Sequence, residues 1–437
     1  MTKKGLTVCL LNDSFPPAID GVANAVVNYA RIIQRDLGHP IVAVPDYPGV
    51  EDRYDFPVIR YPSADTTKII GYRAGYPFSA RTLGALVEAG PDIIHSHCPV
   101  MSTAMARTLR EQVDVPVVFT YHTKFDIDIR RAISGHMLQN TAIKLLVDNI
   151  SACDEVWVVS HGAGENLRSL GYEGDYIVME NGVDFPRGRV AERETAALRE
   201  ELGIPPEIPV YLFVGRLMWY KGIRIILDAL AGLKITGRQF RMVFVGDGME
   251  REEMEDYVRE LRLEDVCLFA GAVRDREKLR TYFCMADLFL FPSTFDTNGI
   301  VVREAAACGL GSVLVRGSCA AEGVADGENA LLIEEDALSL LHLLKEVGGD
   351  RPALRRLGEN AMEQLYLSWD ESVRRAYDRY GVVLEDYRRG LTDRNLEWTD
   401  EVYNVMSDLC RGIEIARSFR DVRSRRRQQR RSRRQER

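Results

Sequence analysis

Asp296 and Glu304 stand eight residues apart around the turn of Phe291-Pro-Ser-Thr-Phe-Asp-Thr-Asn-Gly-Ile-Val-Val-Arg-Glu-Ala-Ala-Ala-Cys-Gly309. The apolar residues from Ala286 to Phe291 read as a buried strand, which Pro292 closes because it cannot continue a ladder. Asn298 and Gly299 supply turn geometry, and Ile300 to Cys308 is a small-residue helix stopped by Gly309. Open N–H groups at that helix start favour an anion just beyond the strand. Carboxylates repel a phosphate placed there, so hydroxyls suit Asp296 and Glu304 better as partners. Diphosphate plus hydroxyls describes a sugar nucleotide; the alternative is a loop acid and a solvated helix acid.

A second constellation lies in Val210-Tyr-Leu-Phe-Val-Gly-Arg-Leu-Met-Trp-Tyr-Lys-Gly222. A strand ends at Gly215, and Arg216 and Lys221 follow it. Two cations at the C-terminal end of a strand can clamp a diphosphate and stabilise the charge that grows on it as a leaving group. Each alone also reads as a surface residue. Gly246-Asp-Gly248 lacks the full dinucleotide fingerprint and reads as a tight turn.

The elements that position these residues alternate along the whole chain. Leu6–Leu11, Ile41–Val44, Val58–Arg60, Ile93–His95, Val117–Thr120, Glu155–Val159 and Ile177–Met179 read as strands with helical patterns between them. A linker occupies residues 185–208, and the pattern restarts with Val210–Val214, Arg241–Val245, Val266–Phe269, Leu288–Phe291 and Ser312–Val315. This is an α/β chain with two doubly wound parallel halves. The domains expected are 1–190, 208–365, a set of C-terminal helices over 366–416 and an Arg-rich tail over 417–437.

Order and spacing together carry a resemblance. Gly215-Arg216 with Lys221-Gly222, then Val245-Gly-Asp-Gly248, then Pro292-Ser293 with two acids eight apart, and Glu304-Ala305 through Cys308-Gly309, resemble glycosyltransferase family 4 over roughly Leu6 to Arg389. The family implies the GT-B architecture, two Rossmann-like domains facing across a cleft, and retaining transfer from a nucleotide sugar. Carried over by motif, Glu304 holds the donor ribose, and Arg216 and Lys221 bind the diphosphate. Backbone N–H groups of Asn298, Gly299 and Ile300 meet sugar and diphosphate. Asp296 stands where the family usually has Glu and contacts a sugar hydroxyl through an arm one methylene shorter.

In the first half, Gly21 follows the loop Phe15-Pro-Pro-Ala-Ile-Asp20 where the family often has a Gly-Gly pair. Its backbone is expected close to the donor, with Asp20 equally readable as a helix cap. His122, in Thr120-Tyr-His-Thr-Lys124, resembles the histidine that reaches the donor sugar from the opposite domain. Glu322 fits a position near the donor, or a helix-start acid. The implied catalytic residues are therefore Arg216, Lys221 and His122. His95-x-His97 with His122 offers three imidazoles, but no acid or Cys stands beside them at ligand spacing, so no metal site and no cofactor is expected.

The chemistry implied is front-face transfer of a hexose, from UDP-glucose or a similar donor, with the departing phosphate helping to take the acceptor proton. The fold also hosts UDP-sugar epimerases, and Asp296 in place of Glu admits a non-catalytic sugar-nucleotide-binding subunit. The acceptor expected is a membrane lipid or lipid-linked saccharide, as for the diacylglycerol glucosyltransferases the chain resembles. Lys124, Arg130 and Arg131 interleave with Phe125, Ile127, Ile129 and Ile133, a pattern that suits a membrane surface or an amphipathic helix on the sheet.

Charge separates the tail from the body. Eleven arginines stand against Asp421 and Glu436 between Arg417 and Arg437, whereas the whole chain carries −8. An acidic body argues against specific nucleic-acid binding, and the tail suits an anionic membrane surface. No apolar run approaches the ~20 residues that span a bilayer. The eight cysteines show no CxxC, and the start reads as a first strand rather than a signal peptide. The expected location is cytoplasmic, peripheral on the inner face of the membrane.

Overall fold

Branched and aromatic runs bounded by glycine, proline or a charge become the strands of two parallel sheets. The structure, a computed structural model, describes residues 5–18, 20–67, 73–125, 129–130, 135–347, 349–392, 401–403 and 405–408. The Arg417–Arg437 tail lies outside the described residues, as do Ile127, Arg131 and Ile133. Two compact units are formed: residues to Val158 with Gly164–Met179 and the chain from Val373, and Val159–Ala163 with Glu180–Ser372.

The first unit holds β1 (Thr7–Leu11), β2 (His39–Pro45), β3 (Val58–Tyr61), β4 (Ser63–Ala64), β5 (Ala74–Gly75), β6 (Ile93–Ser96), β7 (Val117–Tyr121), β8 (Glu155–Val158) and β9 (Ile177–Val178). Seven of them form one parallel sheet in the order β3-β2-β1-β6-β7-β8-β9, and β4 pairs antiparallel with β5. Every residue of β1, β6 and β7 is buried, as helices on both faces require. From Val373 the helix Trp369–Arg388 packs within this unit. Tyr380 stacks on Trp157 at 5.3 Å, and Arg379 pairs with Glu155 at 2.5 Å.

The second unit holds β10 (Val210–Val214), β11 (Arg241–Val245), β12 (Cys267–Gly271), β13 (Leu288–Phe291), β14 (Ser312–Val315) and β15 (Leu331–Ile333). Their order is β12-β11-β10-β13-β14-β15. Winding therefore reverses between β10 and β13, and in the first unit between β1 and β6. Such reversals leave a crevice at the carboxyl ends of the two strands, where this class of sheet binds ligands. The residues there are those singled out above: Arg216 and Lys221 beyond β10, Asp296 to Ile300 beyond β13, and Gly21 after the loop that follows β1. His97 follows β6, and His122 follows the neighbouring β7. Among the described residues no helix is long and apolar enough to cross a membrane.

Candidate active site

Lys221 closes a short 3-10 turn, Trp219–Lys221, and its side chain is almost wholly buried. Its ammonium lies 5.7 to 5.9 Å from the ring centroids of Tyr220, Phe291 and Phe295. An ammonium in an aromatic pocket needs an anion, and Asp296 Oδ1 supplies it at 2.5 Å. The other oxygen, Oδ2, accepts from Ser293 Oγ at 2.6 Å. Gly222 makes this meeting possible. It sits at φ +75°, and a Cβ there would lie 2.2 Å from the Pro292 carbonyl oxygen, so only glycine lets the two loops approach this closely. Sequence reasoning gave Lys221 to a diphosphate and Asp296 to a sugar hydroxyl; here the two hold each other. Arg216 is exposed and forms no ion pair or side-chain hydrogen bond among the described residues.

Beyond the turn, the helix Ile300–Ala307 starts at Gly299, which offers no capping side chain. The Val302 N–H is taken by the Gly299 carbonyl at 2.8 Å, so an acceptor at this helix start would meet the N–H groups ahead of it. Asn298 is buried and donates from Nδ2 to the Val159 carbonyl at 2.5 Å, leaving Oδ1 buried without a partner among the described residues. Glu304 faces inward and is 9% exposed. Burial raises its carboxyl pKa, while the nearby charge of Arg276 pulls it back down. Arg276 Nη2 donates to Glu304 Oε1 at 2.6 Å, and its guanidinium lies over the Phe185 ring at 4.3 Å and near Asp184 at 3.8 Å.

Arg276 is the site residue that sequence reasoning missed. It opens the helix Arg276–Met285, where a cation opposes the helix dipole, and that misplacement was the available signal. Glu322 proves to be a helix-start acid, though for a helix distant in sequence. Its carboxylate accepts from the backbone N–H groups of His161, at 2.7 Å, and Gly162, at the start of His161–Ser169. Gly246 has a packing cause: a Cβ there would lie 1.9 Å from the Gly215 carbonyl oxygen, so the loops after β10 and β11 touch backbone to backbone.

In the first unit, Gly21 opens the helix Gly21–Ile32, and Asp20 caps it by accepting from Ala23 N at 2.7 Å. Among the described residues a Cβ on Gly21 would meet nothing within 4 Å beyond its own helix and chain neighbours. His122 is 6% exposed, and its Nε2 lies 3.0 Å from His97 Nδ1. The His97 and His95 rings pack 3.9 Å apart. His95 Nδ1 lies 2.6 Å from the Tyr380 hydroxyl, and its Nε2 lies 2.7 Å from Thr120 Oγ1. Burial pushes His122 down to about 3 and holds His95 and His97 well below the usual imidazole range, so all three are neutral at pH 7. Among the described residues no group of three or more His, Cys, Asp or Glu side chains is placed to hold a metal ion.

Residues 19–187 match the family model Glycosyltransferase Family 4, and residues 194–364 match Glycosyl transferases group 1. The chain is 23% identical to alpha-monoglucosyldiacylglycerol synthase of Streptococcus pneumoniae, over 70% of each protein. It is 29% identical to D-inositol 3-phosphate glycosyltransferase 2 of Catenulispora acidiphila, over 68% of this chain and 72% of the relative. Its fold is shared with Anabaena HepE, solved in complex with UDP: TM-score 0.69, 18% identity, covering 86% of this chain and 100% of the other. The two matched regions follow one another and take in every strand of both sheets except β1, and the chain belongs to the family 4, group 1 glycosyltransferases of the GT-B fold.

Proposed function

We propose that this glycosyltransferase moves a hexosyl group from a nucleoside-diphosphate sugar of the UDP-glucose kind to a hydroxyl of a membrane lipid or lipid-linked saccharide, with retention at the anomeric carbon. The observation that carries the reading is the Lys221–Asp296–Ser293 cluster beyond β10 and β13, beside an uncapped helix start. A diphosphate there meets the Lys221 ammonium, the exposed Arg216 guanidinium and the N–H groups of Asn298, Gly299 and Ile300. Glu304, steadied by Arg276, accepts from the ribose hydroxyls. Gly21 and His122 serve the donor sugar. Glu322 holds the chain at His161 and Gly162, and its effect on the donor is indirect.

Charge that grows on the departing diphosphate is stabilised by cations and amides already aimed at it, the largest kind of contribution such a site makes. The departing phosphate takes the acceptor proton as the new glycosidic bond forms on the same face. Lys221, Arg216 and the N–H groups at the helix start oppose the diphosphate charge, with Asp296 offsetting part of that of Lys221, and the reading requires no metal. Diacylglycerol chemistry in the name of the Streptococcus pneumoniae relative supports a lipid acceptor, and the basic tail supports work at the inner face of a membrane.

The test is a screen of UDP-, GDP- and ADP-sugars against diacylglycerol in anionic vesicles, soluble inositol phosphates and saccharides, read by mass spectrometry. Glycolipid formation with acceptor-dependent release of nucleotide is expected. Transfer to soluble acceptors alone, or isomerisation of the donor without acceptor, overturns the proposal. Sedimentation with the same vesicles is expected to be salt-sensitive for the full chain and weaker for a chain ending at Ile415. Equal binding by both removes the tail from membrane docking.

A further inference from the structure

We propose that His97 sets the tautomer of His122: it donates from Nδ1 to His122 Nε2, so that His122 carries its own proton on Nδ1 and acts as a donor at that atom. The inference rests on the reading that His122 serves the donor sugar, and it adds a positioning residue to that site.

The two histidines meet because of the sheet. β6 and β7 are paired, with Ser96 opposite Phe119, so the residues just beyond their ends are neighbours. The His97 backbone is tied to the adjacent strand by its N–H to the Leu11 carbonyl, at 2.9 Å. Its ring is held as well. His95 packs on it at 3.9 Å and Tyr29 meets it edge-on at 5.3 Å. His95 in turn is fixed by the Tyr380 and Thr120 hydroxyls. A ring caught in this way cannot exchange its two nitrogens, and Nδ1 is the one that faces His122 at 3.0 Å.

Both imidazoles are neutral, so one proton lies in the contact between them, and it belongs to one ring or the other. If His122 gave it, His97 would carry its proton on Nε2. That atom is buried and has no hydrogen-bond partner among the described residues. Orphaned buried N–H groups are rarer in proteins than orphaned acceptors. The cheaper arrangement leaves a bare lone pair on His97 Nε2, puts the proton on His97 Nδ1, and makes His122 Nε2 the acceptor. His122 is then protonated on Nδ1. A neutral donor suits a transfer in which the leaving phosphate removes the acceptor proton, because no base is needed from this side chain.

The test reads the tautomer directly. Long-range 1H–15N correlation spectra of the full chain, labelled with 15N-histidine, distinguish protonation on Nδ1 from Nε2, and loss of one spin system in His122→Asn assigns it. We expect Nδ1–H in the wild type, retained in His97→Asn, whose amide nitrogen stands where Nδ1 stood, and lost in His97→Leu. Turnover is expected to fall about ten- to hundredfold in His97→Leu, as for loss of a group that orients a reacting side chain, and to stay within a few-fold in His97→Asn. Affinity for free nucleoside diphosphate is expected to be unchanged in both. Nε2–H in the wild type overturns the proposal without recourse to any variant, and so does an Nδ1–H signal that persists in a folded His97→Leu protein. Full turnover in His122→Asn overturns the assignment of His122 to the sugar, whereas the wild-type spectrum judges the tautomer by itself.

Discussion

Lowering the pH from 7.5 to 5.5 should destabilise the first unit, and the three buried histidines give the size of the effect. In an unfolded chain each imidazole titrates near 6.5. In the folded unit His122 is held down to about 3, and His95 and His97 well below normal, by burial. The folded-state pKa is depressed for a group that is charged when protonated. Unfolded chains therefore bind protons that the folded unit refuses, and stability, complete above about pH 6.5, is lost as the pH falls below it. For His122 linkage gives somewhat over 1 kcal/mol at pH 5.5, and His95 and His97 add to the loss in the same direction. Asp13, whose carboxyl is raised by burial, works in the opposite sense, so one variant gives the cleaner number. His122→Asn should make the loss between the two pH values smaller by about 1 kcal/mol. Urea unfolding of wild type and variant at both pH values measures it, followed by histidine C–H resonances of the first unit. Equal losses in the two proteins, or a His122 resonance that titrates near 6.5 in the folded chain, would refute the reasoning.

Arg216→Ala and Lys221→Ala should each lower turnover by about two orders of magnitude, as loss of a preorganised charge contact does; wild-type rates in a folded variant remove that residue from the site. Glu304→Gln should weaken donor and free nucleoside diphosphate together, measured by calorimetry, and Arg276→Ala should do the same more mildly because it leaves a buried carboxylate unpaired. A defect confined to the acceptor contradicts both. Asp296→Asn should slow turnover by loosening Lys221 while leaving free nucleotide affinity equal or higher, since a negative charge beside the diphosphate is gone; a large loss of nucleotide affinity places Asp296 on the nucleotide instead.

Strands buried on both faces were the most legible part of the chain. Val210–Val214, Arg241–Val245, Leu288–Phe291 and Ser312–Val315 are continuous apolar runs cut by proline, glycine or charge, and they form over those same residues. The sequence pattern places β12 at Val266–Phe269, whereas it lies at Cys267–Gly271, because its half-buried residues carry a weaker signal. The two-residue strands β4 and β5 are too short for any periodicity to show. At the site, residue types and local spacing were readable, but partnerships across the fold were not. Lys221 and Asp296 meet because two loops touch at Gly222 and Pro292, a property of the sheet order rather than of either stretch. His95-x-His97 with His122 offers three imidazoles by residue type, with no metal expected, and says nothing of what their nitrogens meet. Tyr380, far along the chain, is what claims His95 Nδ1.

The close approach at Gly222 has a bearing on how the enzyme can diversify. Any side chain at that position drives into the Pro292 carbonyl, and any at Gly246 drives into that of Gly215, so three neighbouring loops are locked together at points that admit no substitution. On the proposed reading, variation in donor preference arises from residues that hang on these loops, not from reshaping their course. A saturation library that spares positions 222 and 246 and randomises Met218, Tyr220 and Phe295 should keep most members folded, whereas one that includes the two glycines should lose nearly all of them. Descendants of such a chain would trade sugars by exchanging side chains on a rigid rim.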